Sequence, residues 1–226
     1  MVLARVADDV WSATSPHSFV GFHIGTRMTV VRLPDGSLFV HSPIPLDDEL
    51  KSAIDALGPV GHIIAPNLYH HVYFGQFAAA YPDAKTHAAP GLAEKRSDLR
   101  FDETLSPDGD VSWRDALSSQ AIDGSALRET VFFHHPSRTL ITADLIQRFD
   151  TTEHWPTRWY LRAAGVYRKT GTSRVVRLMI RDKARMRRAV DRVIDWHPEQ
   201  ITLAHSKLIS ANGEEALRAA YTWLKP

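Results

Sequence analysis

Val60-Gly61-His62-Ile63-Ile64-Ala65-Pro66-Asn67-Leu68-Tyr69-His70-His71 is the stretch from which the rest of the chain can be read. Its first six residues form a short apolar run bounded by turn formers, the pattern of a buried strand. After Pro66 and Asn67, the run from His71 to Ala80 reads as a helix ended by Pro82, and Ala84 to Ala88 as a further strand. Two adjacent histidines therefore sit just past the C-terminal end of a buried strand, where open α/β sheets build their sites.

Working outward, Thr29–Leu33 and Ser37–His41 are two short strands joined by Pro34-Asp35-Gly36, a hairpin turn. Leu46, Leu50, Ile54 and Leu57 recur at helical spacing until Gly58-Pro59 stops the run. From Val111 to Ile141 the pattern is of successive strands: Val111–Trp113, Ser119–Ile122, Glu129–Phe133 and Arg138–Ile141. Lys183–Asp195 carries Met186, Ala189, Val190, Val193 and Ile194 on one helical face. Ile201–Ala204 is a strand delivering His205, and Asn212 caps a last helix with an apolar face of Ala216, Leu217, Ala220, Tyr221 and Leu224. Two blocks of strands interleaved with amphipathic helices predict a layered α/β protein with two sheets packed inside.

The 226 residues hold 44% hydrophobic and 23% charged side chains, as a globular protein does, and show no repeat, low-complexity tract or linker, which favours one domain over 1–226. A net charge of +1 gives no general argument for nucleic acid or membrane. The absence of cysteine excludes disulfides, iron–sulfur clusters, a thiol nucleophile and thiolate-bound zinc. Any metal must use nitrogen and oxygen ligands, and twelve histidines are present. No secretory core opens the chain and no apolar run approaches the roughly 20 residues of a membrane span, so a soluble cytoplasmic protein is expected.

His17, His23, His62, His87, His154 and His197 have no partner at informative spacing and read as surface or core histidines; His134-His135 reads as a strand-end loop tip. His41, His70, His71 and His205 differ, because each lies just past a predicted strand end, as does Asp144 in Leu140-Ile141-Thr142-Ala143-Asp144.

With these residues in place, the chain resembles the metallo-β-lactamase superfamily over nearly its whole length. That superfamily is marked by a buried strand running into T-H-x-H-x-D-H, a later strand ending in G-D, and a late strand ending in His. Ile63 to His71 takes the first place, Thr142-Ala143-Asp144-Leu145-Ile146 the second and Leu203-Ala204-His205-Ser206 the third, while His41-Ser42-Pro43 stands where an early strand normally ends in Asp. The resemblance implies a four-layer αββα sandwich. It also implies the loss of one of the usual two metal sites. Pro66 and Leu68 replace that site's two motif histidines, and Gly124–Glu129 offers no third. The positions of the other site hold His70, His71, Asp144 and His205, all competent ligands for one divalent zinc, iron or manganese ion.

Side chains at His70 and His71 would diverge by about 100° on a regular helix, so both can reach one ion only from an irregular helix start. Two roles compete for His70: a fourth ligand, or a free base taking a proton from activated water. A third alternative is a remnant pocket without metal. His41 either orients a ligand imidazole or makes a plain strand-end contact.

The segment Asp150–Ile180 carries Trp155, Trp159, Tyr160 and Tyr167, aromatics that either wall the pocket and stack on a substrate or form a satellite cluster. Twelve Lys and Arg between Arg158 and Arg192 face only Asp182 and Asp191. Such a basic flank suits a small anionic ester, thioester or phosphoester, or is a solvated helix face. The expected function is therefore that of a metal-dependent hydrolase acting on a small molecule. The alternative is a non-catalytic ligand-binding or sensor module on a degenerate enzyme scaffold. Nucleic acid is a poor candidate, since no recognised motif accompanies the charge.

Overall fold

A computed structural model describes residues 1–106, 113–205 and 207–224. The strands are β1 (Ala4–Ala7), β2 (Val10–Ser15), β3 (Ser18–Phe19), β4 (Phe22–His23), β5 (Thr26–Arg32), β6 (Leu38–His41), β7 (Val60–Ala65), β8 (Lys85–Ala88), β9 (Glu103–Thr104), β10 (Leu117–Ala121), β11 (Thr130–His134), β12 (Thr139–Ile141), β13 (Gln147–Arg148), β14 (Thr170–Gly171) and β15 (Gln200–Thr202). The helices are α1 (Asp48–Asp55), α2 (Phe74–Ala80), α3 (Leu92–Lys95), α4 (Trp155–Ala164), α5 (Arg174–Leu178), α6 (Lys183–Ile194) and α7 (Gly213–Ala220).

One sheet has the order β1-β2-β5-β6-β7-β8-β9, antiparallel as far as β6 and parallel from β6 onward; the other has the order β10-β11-β12-β15, with β12 and β15 parallel. Alternation along single strands builds the layers. In β7, Ile64 faces the inter-sheet core with Val31, Phe39, Phe132 and Ile141, while Ile63 and Ala65 face α1 and α2 through Leu50, Ile54, Phe74 and Phe77. In β11, Phe132 faces inward, while Val131 and Phe133 meet Met186, Val190 and Val193 of α6 and Leu217 of α7. The result is helix, sheet, sheet, helix, as the sequence predicts. Each of these fully buried aliphatic side chains contributes about 1.5–3 kcal/mol of transfer free energy.

Local chemistry explains the elements that matter. Gly36 closes the β5–β6 hairpin at φ 86, with Asp35 accepting from the backbone and hydroxyl of Ser37. Asp47 caps α1 through the Leu50 amide. Gly58 ends the segment after α1 where a Cβ would stand 2.6 Å from the Gly36 carbonyl oxygen, so only glycine fits there.

Two expectations need correction. The helix predicted from His71 begins at Phe74, because residues 68–73 form turns. Asn212 precedes α7 at φ 56, but its side chain makes no capping bond. The Asp150–Ile180 segment holds α4 and α5, and β1 and β2 add two strands that the sequence pattern leaves unread. The strand expected at Val111–Trp113 falls largely on residues 111 and 112, and Ser206 of the late motif also lies outside the described residues; Trp113 itself is buried between the sheets. Among the described residues no helix is long and apolar enough to cross a membrane.

Candidate metal centre

The site forms where the C-terminal ends of β7, β12 and β15 meet, one strand from the large sheet and two from the small. Three residues from these ends converge. His70, Asp144 and His205 each offer a ligand atom, and these atoms all lie within 4.8 Å of one another. His70 Nε2 is 3.3 Å from Asp144 Oδ2, and His205 Nε2 is 3.5 Å from Asp144 Oδ1. All three side chains are about nine-tenths buried.

The far side of each ligand is held. His205 Nδ1 is 2.8 Å from the Gly25 carbonyl and must donate to it, which leaves Nε2 to face Asp144. His70 Nδ1 is 3.0 Å from Ser42 Oγ. Ser42 reaches it from a left-handed backbone, φ 55, rare for a residue with a side chain and a mark of local strain. Asn67 organises the turn: its Oδ1 accepts from the amides of Tyr69 and His70, both at 2.8 Å, and its Nδ2 donates to Asp144 Oδ2 at 3.0 Å.

Behind Asp144 lies Glu129, a carboxylate 1% exposed. It accepts from the backbone amides of Ala143, Asp144 and Leu145 at 2.8, 2.9 and 3.3 Å. The sequence pattern singles out neither Asn67 nor Glu129. The available signal for Glu129 is an acid opening an otherwise apolar strand, at the place where the metallo-β-lactamase pattern asks for a histidine.

Electrostatics follow from this burial. Desolvation and the neighbouring Asp144 push the Glu129 carboxyl up to about 7. Burial acts the same way on Asp144, but the imidazoles of His70 and His205 overcome it and hold that carboxyl well below the usual range. His205 is raised: burial opposes its charge, and Asp144 more than compensates. Two imidazole Nε2 atoms aimed at one carboxylate repel it unless a proton or a cation lies between them. The donor set therefore fits a divalent ion on nitrogen and oxygen ligands.

The other expected site residues fall elsewhere. His71 is not in the cluster. Its Nδ1 accepts from Arg96 Nη1 at 2.8 Å, and burial, with Lys95 and Arg96, holds its pKa down. The turn set by Asn67 sends the two adjacent imidazoles to different partners. Among the described residues it is Ser42, not His41, that is hydrogen-bonded to His70. His41 packs edge-on against Phe132 with Nε2 buried and unpartnered among the described residues. Trp155 and Trp159 point outward, 65% and 62% exposed, and it is Tyr160 of the same helix that lines the pocket and stacks on Phe22 at 4.3 Å.

Burial, with His70 nearby, drives the His41 pKa down to about 3. An unfolded histidine titrates near pH 6.5, so the stability that neutral His41 contributes is whole above that pH and is lost as pH falls toward 3. The loss attributable to His41 is on the order of 2 kcal/mol by pH 5. In urea unfolding between pH 7 and 5, His41→Phe is therefore expected to flatten the fall in stability; an unchanged slope would refute this.

The cluster floors a cavity of about 430 Å³, within the usual range of about 300–1,000 Å³ for small-molecule sites. Its walls include His17, Ile24, Tyr73, Leu127, Phe149 and Met179. None of the twelve cations between Arg158 and Arg192 lines it.

Fold and cluster together define a metallo-β-lactamase fold. The chain superposes on the metallo-β-lactamase from Pontibacter korlensis with a TM-score of 0.69 at 14% identity, covering 99% of this chain and 98% of that one. The corresponding values for the Hirschia baltica enzyme are 0.66, 13%, 100% and 98%. For metallo-β-lactamase FIM-1 from Pseudomonas aeruginosa, solved in a mono-zinc form, they are 0.65, 14%, 100% and 96%. Within that fold the chain belongs to the family described as "Domain of unknown function (DUF4336)", whose model matches residues 7–164. No curated protein matches the sequence.

Proposed function

We propose that this protein is a metal-dependent hydrolase that holds one divalent ion between His70, Asp144 and His205 and cleaves an ester-type bond in a small molecule. The observation that carries the reading is the convergence of three ligand atoms from distant stretches of chain within 4.8 Å, each fixed from behind. Three protein ligands leave coordination positions open, the arrangement of catalytic rather than structural sites. The mono-zinc form of FIM-1 supports the stoichiometry by analogy of fold. When bound, the ion supplies Lewis acidity and lowers the pKa of water.

The chain's own residues do the rest. His70 and His205 present Nε2, Asp144 supplies the single negative charge, and Asn67 and Glu129 fix its orientation. His17 lines the same cavity with Nδ1 3.2 Å from the Tyr73 hydroxyl. Burial, with His205 and His70 close by, lowers its pKa and so favours the neutral imidazole, the form that can accept a proton. In hydrolysis the water oxygen bonds to the acyl or phosphoryl centre and the bond to the leaving oxygen or sulfur breaks. One water proton passes through His17 to that atom.

The non-catalytic module remains the second reading, favoured by Pro66 and Leu68 standing where a second ion would be held. Leu68 packs toward the α1–α2 core and donates its amide to the Leu127 carbonyl. Turnover of p-nitrophenyl esters, thioesters and phosphodiesters by zinc-, iron- or manganese-loaded protein separates the two. The expected result is turnover abolished by chelation and restored by metal. Metal uptake with no turnover on any of these substrates would leave the module.

A further inference from the structure

The walls of the cavity are mostly apolar, although His17, Lys95, Gln147 and Ser173 also line it. Phe19, Ile24, Leu127, Phe149, Val176 and Met179 come from the β3–β4 ribbon, the loops after β4, β10 and β13, and α5 with its C-cap, while His70, Asp144 and His205 form the floor. The exposed apolar side chains support the same division. Of the nine large hydrophobics exposed among the described residues, Phe19, Tyr69, Val72 and Val175 all line this one cavity. Exposed apolar surface concentrated at a pocket is what a ligand covers.

Cationic side chains are scarce on these walls. Among the described residues Lys95 is the one Lys or Arg lining the cavity, and its ammonium already donates to the Leu68 carbonyl and lies 4.6 Å above the Tyr69 ring. Arg96, just behind, is committed to Asp98 and His71. The basic stretch expected to attract an anionic substrate spends its charge elsewhere: Arg162 lies over Trp159 and Tyr167, Arg177 on the Thr172 carbonyl and over Trp223, and Arg187 on Asp191. Against these walls an anionic body would lose its water without gaining a free cationic side chain. A divalent ion set against the one anionic ligand, Asp144, would leave net positive charge at the floor, where it would polarise an ester carbonyl, while the walls above still offer no free cation.

We infer that the substrate is an uncharged ester carrying an apolar body, seated against the Phe149–Val176–Met179 wall with its carbonyl over the His70–Asp144–His205 floor. This rests on the hydrolase reading for the ester bond, and on the cavity alone for the apolar, uncharged body. The two can fail separately.

The probes are N-methyl alkanamides of four to ten carbons and hexyl phosphate, titrated calorimetrically into metal-free protein. Affinity for the amides is expected to rise about three- to fourfold per added methylene until the cavity is full, with hexyl phosphate binding more weakly than the six-carbon amide. Met179→Asp is expected to weaken the eight-carbon amide tenfold or more, and Met179→Ser, a milder change, to weaken it in the same direction should the first variant not fold. Affinity independent of chain length, or tighter binding of hexyl phosphate, overturns the inference. Matched p-nitrophenyl alkanoates with zinc-loaded protein then test the other half. Length-dependent binding without turnover removes the ester chemistry and leaves the apolar pocket. Turnover with a length-independent kcat/KM removes the apolar body and leaves the hydrolase.

Discussion

Replacing Asp144 by asparagine is expected to abolish zinc binding at micromolar metal while leaving the metal-free fold intact. Asp144 is the only anion within the three-residue cluster, and loss of a mere outer hydrogen-bond partner already costs about 10–100-fold in metal affinity. Loss of the anionic ligand should exceed that. The metal-free protein fares differently. The side-chain oxygen of the introduced asparagine can still accept from Asn67, and its NH₂ can donate to an imidazole Nε2, relieving a contact that in the native protein needs a proton between His205 and Asp144. Chelator-treated native protein and Asp144→Asn should therefore melt within a few degrees of each other. Zinc at 100 times its Kd should stabilise the native protein by about 2.7 kcal/mol and the variant not at all. Because Asp144 raises the His205 pKa, the incoming ion displaces a proton, so native affinity should climb with pH below neutrality. Equal zinc stabilisation of both proteins would refute the centre described here.

Periodicity reached the layers of this fold because they depend on alternation within single strands. Ile63, Ile64 and Ala65 in β7, or Val131, Phe132 and Phe133 in β11, reveal their two faces without reference to any distant residue. It failed at the start of α2 for an equally local reason. The Asn67 side chain accepts the Tyr69 and His70 amides, and such side-chain bonds compete with helical ones, so residues 68–73 turn and the helix waits until Phe74. That same turn separates His70 from His71, which is why a motif carried over position by position placed both on one ion. β1 and β2 escaped notice because Ala4–Ala7 is short and Val10–Ser15 mixes Trp with Ser and Thr, around an Asp9 at φ 58. His70, Asp144 and His205 were legible as candidates from their strand ends. Which groups hold them was not, because Gly25, Ser42 and Glu129 reach them from other parts of the chain.

Glu129 is the sharpest case of a residue visible only in three dimensions, and it carries the largest expected loss of stability. Its carboxylate is the common acceptor for three successive amides, those of Ala143, Asp144 and Leu145, at the end of β12. Alanine would take that acceptor from three buried donors and leave a cavity the size of the side chain, a loss of roughly 3–5 kcal/mol. Glutamine keeps the volume and one acceptor oxygen but turns an NH₂ toward at least one amide, so it should lose about half as much. Urea unfolding of chelator-treated protein measures both. Because the same three amides set the direction of the Asp144 backbone, either variant should also weaken zinc by about 10–100-fold, the range for groups that orient a ligand. If Glu129→Ala unfolds within about 1 kcal/mol of the native protein and binds zinc normally, the carboxylate neither supports β12 nor positions Asp144. The loop from Thr142 to Ile146 must then be held by its neighbours alone.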